Sequence, residues 1–147
     1  MSDLDSSPSS TETLDGVSTV EIRTSASAAL IPTIRAVASD LAARADFDLD
    51  AISDLRMAVD EACATLVEIA APSSTLRCTF MVRPEHISVE AEVQAADSDA
   101  TVSTDTFGWR VLQTLTDEVT VHRAPGVSGG HPVVGIRLVK RAGAFPQ

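Results

Sequence analysis

LRMAVDEACATLVEIA, residues 55–70, is the most regularly patterned stretch of the chain. Together with Ile52, its residues Leu55, Val59, Ala62, Leu66 and Ile69 recur at helical spacing and predict one buried stripe on a helix over 51–70. Asp48 or Asp50 can cap the start, and Pro72 ends the helix. The same spacing leaves Asp54, Glu61, Thr65 and Glu68 on a shared polar strip. Glu61 and Thr65 stand four residues apart, so their side chains are neighbours one turn on. A carboxylate beside a hydroxyl can position a water or help hold Mg²⁺. A charged helix face is also the ordinary solvated surface of a soluble domain.

Outward from this helix, VSTVEIRT (17–24) alternates like a strand. Residues 28–45 place Leu30, Ile34, Val37 and Leu41 at helical spacing, with Pro32 tolerated near the first turn. On the far side, TLRCTFMV (75–82) and HISVEAEV (86–93) are separated by three residues and predict a hairpin. A polar loop from Gln94 to Asp105 follows. Residues 106–116 predict a short helix with Val111, Leu112 and Leu115 inward. EVTVHR (118–123) and VVGIRLVK (133–140) predict two strands around the loop 125–132. The order β, α, α, β, β, α, β, β predicts an α+β two-layer sandwich, a mixed and mostly antiparallel sheet covered on one face by about three helices. The expected domain spans 16–142, between an acidic tail (1–15) and a C-terminal tail (143–147).

Composition narrows the function. The chain has 147 residues, with 21 acids, 11 bases and a formal net charge of -10. Binding that neutralises nucleic-acid phosphates calls for the opposite sign. A hydrophobic content of 44% still supports a folded core. Aromatics make up only 3%, so that core is expected to be built from Val, Leu, Ile and Ala. There is no apolar run long enough for a membrane span and no signal-like start, so a cytoplasmic location is expected. Cys63 and Cys78 fall in apolar-periodic segments and read as reduced, buried small residues. GVSGGHP (126–132) lacks the GK[ST] of a phosphate-binding loop and reads as a hairpin loop. His86, His122 and His131 have no metal-ligand spacing.

LRMAVDEACATLV (55–67) resembles the N-box helix of the GHKL ATPases, and within them the RsbW/SpoIIAB group of anti-sigma factors that double as serine-protein kinases. TFGWRVLQTLTDEVTV (106–121) is similar to a later segment of that group, with Leu115, Asp117, Glu118 and Val119 in matching order. The likeness runs from about residue 18 to residue 140 and is greatest to the divergent actinobacterial, UsfX-like anti-sigma-F factors. It implies an ATP site in which Glu61 activates the transferring hydroxyl as base. Thr65 stands where the group has its Mg²⁺-holding Asn. Gln94 and Ala96 stand where an Asp-x-Gly-x-Gly motif receives adenine, and of the Gly-rich lid only Gly108 remains. The resemblance thus implies sequestration of an alternative, stress-response sigma factor over a degenerate ATP site. Release comes by partner switching to an anti-anti-sigma protein, and the group forms homodimers. An active kinase using Mg²⁺ and ATP on that antagonist is the alternative; a third reading is a scaffold without nucleotide.

Overall fold

The computed structural model describes residues 17–143. The expected acidic tail, 1–15, and the last four residues lie outside them. Five strands and three helices follow in the expected order. They are β1 (Ser18–Ser25), α1 (Ile31–Arg44), α2 (Leu49–Ile69), β2 (Thr75–Val82), β3 (His86–Gln94), α3 (Phe107–Leu115), β4 (Glu118–Ala124) and β5 (Val133–Arg141). Short 3₁₀ turns precede α1, at Ala28–Leu30, and β5, at Val127–Gly129. The sheet order is β1-β2-β3-β5-β4, and all four pairings are antiparallel.

Local chemistry fixes the ends of each helix. Ser27 caps the turn that leads into α1, and Pro32 sits in the first turn, where its missing N–H costs nothing. Of the two candidate caps for α2, Asp48 makes the bond: its carboxylate accepts from the Ala51 N–H at 2.7 Å, while Asp50 stands in the first turn. Asp46 takes the left-handed conformation (φ 63°) that turns the chain from α1 into α2. The backbone is extended at Ala70, ahead of Pro72. Thr106 caps α3 by accepting from the Trp109 N–H at 3.0 Å.

The strands alternate between two environments. One face carries Ile22, Cys78, Ala91, Ile136 and Val121 in a single cross-strand row, with Val20, Phe80, Val89, Leu138 and Val119 in the next. The helices cover this face, and their stripes close the core around Ile34, Leu55, Val59 and Leu66. The α2 stripe is broader than the spacing predicts. Ala51, Ala58 and Cys63 are buried with it, whereas Ile52 and Ile69 at its ends are half-buried. Aliphatic residues dominate the core, yet Phe80 lies at its centre with Phe47 and Trp109 at its margin. In α3, Trp109 and Leu112 are the buried residues, and Val111 and Leu115 are only half-buried. The other sheet face is polar, with Arg23, Arg77, Glu92 and His122 along one row. No helix among the described residues is long and apolar enough to cross a membrane.

Candidate functional site

The polar strip of α2 is held from three sides. Asp54 accepts from the ammonium of Lys140, on β5, at 3.2 Å. Asp60 accepts from the Arg35 guanidinium, on α1, at 3.0 Å. Between them Glu61 faces α3. A Cβ added at Gly108, in the first turn of α3, would overlap Glu61 Oε2, so that glycine is what lets the carboxylate approach. A helix N-terminus carries partial positive charge, which favours a carboxylate there.

Thr65 sits one turn along from Glu61. Its hydroxyl donates to the Glu61 carbonyl at 2.9 Å, with Glu61 Oε2 3.4 Å away. This back-bond to the preceding turn takes up the only hydroxyl proton. Glu61, Thr65 and Gly108 therefore form one cluster where α2 meets α3.

The other two expected site residues are placed differently. Val93 and Ala95 are buried beneath the helices, so alternation sends the side chain of Gln94 to the opposite face of the sheet. There it lines a cavity of about 460 Å³ with Arg23, Arg77 and Glu92. The register thus puts Gln94 across the sheet from the Glu61 cluster. Ala96 is exposed, and its N–H donates to the Ile69 carbonyl at 2.9 Å. The Ala71 N–H donates to the Gln94 carbonyl at 2.7 Å, so residues 94–96 are zipped to the end of α2.

These positions do not fit a Mg²⁺·ATP site well. Mg²⁺ is usually held by one or two carboxylates together with phosphate oxygens. Here the one carboxylate of the cluster is packed against α3, and the hydroxyl of Thr65 is turned to its own helix. Among the described residues no group of three His, Cys, Asp or Glu side chains is arranged to hold a metal.

Sequence reasoning missed a second polar cluster, on the outer face of the sheet. Glu92 accepts from Arg77 and lies 3.4 Å from His122 Nε2. The Arg77 pKa is raised, first by its hydrogen bond to Glu92 and then by that carboxylate's charge. His122 reaches across Gly135, where a Cβ would overlap its ring. The signal was present in VVGIRLVK, because a glycine inside a β-branched strand marks a close approach.

Known proteins share this framework. Residues 24–131 match the histidine kinase-like ATPase domain family. Over 132 residues, 88% of this chain and 77% of the relative, the sequence is 38% identical to the anti-sigma-F factor RsbW of Mycobacterium tuberculosis strain H37Rv. The same values hold for the anti-sigma-F factor RsbW of strain CDC 1551.

Proposed function

The chain belongs to the histidine kinase-like ATPase domain family and, within it, to the RsbW-type anti-sigma factors, and from that membership we propose that it sequesters an alternative, stress-response sigma factor. An antagonist of the anti-anti-sigma kind then releases the sigma factor by competing for an overlapping surface. The observation that carries this reading is the uneven charge of the two layers. Residues 31–69, which form α1, α2 and their connection, hold eight carboxylates against three arginines. A sigma factor presents basic surface to DNA, and an acidic layer of this kind steers it and covers that surface. The protein acts by occupancy, and its ATP site is degenerate.

The cluster at Glu61 supports the last point. Phosphoryl transfer depends on metal-assisted charge stabilisation and a backbone cradle for the phosphates. A carboxylate against the first turn of α3 opposes a triphosphate there by charge and by volume. A second reading, a serine-protein kinase with Glu61 as base, draws on one observation: Glu61 still has a hydroxyl neighbour in Thr65. As a kinase, the chain would phosphorylate its antagonist with Mg²⁺ and ATP. The protein is further proposed to act in the cytoplasm as a homodimer.

The test combines three measurements on the full chain. Biolayer interferometry against the alternative sigma factors of the source organism is expected to give one saturable partner. Reconstituted transcription from that sigma factor's promoter should fall as the chain is added. Absence of binding to every sigma factor would end the sequestration reading. Calorimetry with Mg²⁺·ATP should give little or no heat, and labelled ATP should leave the antagonist unlabelled; transfer abolished by Glu61→Ala would instead establish the kinase.

A further inference from the structure

Cys63 and Cys78 are the only cysteines of the chain, and the site above uses neither. They belong to different layers. Cys63 is on the inward side of α2, and Cys78 is in the middle of β2. Both side chains are buried and free, with their sulfurs 3.9 Å apart. A disulfide holds its sulfurs about 2.05 Å apart, so bonding draws this pair together by roughly 2 Å. Closing it requires rotation of both side chains and a settling of α2 on the sheet. No other thiol of the chain competes for either partner.

We infer that Cys63 and Cys78 are a modification site: they form a reversible intramolecular disulfide that fastens α2 to β2. The oxidant class that the burial admits is a small hydroperoxide. One cysteine sulfur attacks the peroxide oxygen and becomes a sulfenic acid, releasing water. The other thiol then displaces the sulfenic oxygen as a second water, closing the S–S bond. Overall, two thiols lose two electrons and two protons, and hydrogen peroxide takes them up to give two waters. The hydrogen bond to Cys78, then burial, holds the Cys63 thiol well above its ordinary pKa. Since thiolate is the reacting form, the reaction proceeds through brief openings of α2 from β2 and is slow. The same shielding keeps reductants out, so the bond is also slow to be removed. The clip is thus a lasting mark of oxidation and does not depend on the sequestering role.

The full reduced chain is exposed to hydrogen peroxide, quenched with catalase, unfolded and treated with N-ethylmaleimide. Intact mass is expected to show a monomer lighter by two hydrogen atoms and without maleimide. Its Tm should rise by about 10 °C, as a cross-linked loop of this length predicts, and dithiothreitol should reverse both changes. Mild urea should speed the reaction. Neither Cys63→Ala nor Cys78→Ala should show the stabilisation. Recovery of doubly alkylated protein, oxygen addition at a single cysteine, or a disulfide-linked dimer would each overturn the proposal.

Discussion

At Gly108 the backbone of α3 and the side chain of Glu61 share a space that holds a carboxylate or a Cβ, but not both. The carboxylate is the free end of a flexible side chain, so in Gly108→Ala it is Glu61 that moves. Alanine also favours the helix over glycine by about 0.5–1 kcal/mol. The variant is therefore expected to melt within about 3 °C of the parent, read by differential scanning fluorimetry; a collapse of Tm would show a rigid contact instead. Cys63 sets a different expectation, on pH. Its folded pKa is raised, so the folded chain keeps the proton while the unfolded chain loses it above the ordinary thiol pKa of 9.0. Its contribution to stability is full below that pH and falls above it, at about 1.4 kcal/mol per pH unit until the folded pKa is reached. Urea titrations between pH 8 and pH 10.5 should show this loss, and Cys63→Ala should flatten it.

Among the elements, α2 was the most legible in the sequence. Its stripe repeats over 21 residues, and an aspartate and a proline stand at its ends. Which aspartate caps it was not legible, because either could be placed one residue before the first turn. Removal of the true cap, Asp48→Ala, is expected to cost about 1 kcal/mol in urea unfolding, whereas Asp50→Ala costs less. The strands were legible from alternation, but alternation alone does not say which face meets the helices. It left open that the side chain of Gln94 lies across the sheet from Glu61. The pairs Arg35–Asp60 and Lys140–Asp54 were not legible either, since their partners lie 25 and 86 residues apart and meet only once the layers stack. In β5, Gly135 has the His122 ring over it and the Ala91 carbonyl oxygen 2.9 Å from the position of an added Cβ. Gly135→Ala is expected to destabilise by about 1–3 kcal/mol. In the His122→Ala background the cost should shrink without vanishing, because the carbonyl stays. A double-mutant cycle in urea reads the difference.

For the molecule as a whole, residues 31–69 hold eight carboxylates against three arginines, an acidic excess left over after the pairs Arg35–Asp60, Arg44–Asp40 and Lys140–Asp54, while the exposed sheet face pairs its charges. Arg77 meets Glu92, and Arg137 lies between Glu90 and Glu118. Steering by exposed carboxylates is screened over about 10 Å at 0.1 M salt. The sigma-factor association rate is therefore expected to fall about tenfold or more between 50 and 400 mM NaCl, with the dissociation rate changing less, read by stopped flow. An association rate indifferent to salt would remove the steering role from the helix layer. The strand order carries a separate consequence, for the time course of synthesis. Of the five described strands, β5 lies between β3 and β4 although it is made after both. While the chain is still emerging from the ribosome, β1, β2 and β3 can already pair, but β4 has no neighbour and the open edge of β3 stays bare. Completion of the sheet waits for residues 133–141, so nascent chains stalled before residue 133 should be exposed to protease and chaperone where the released protein is not.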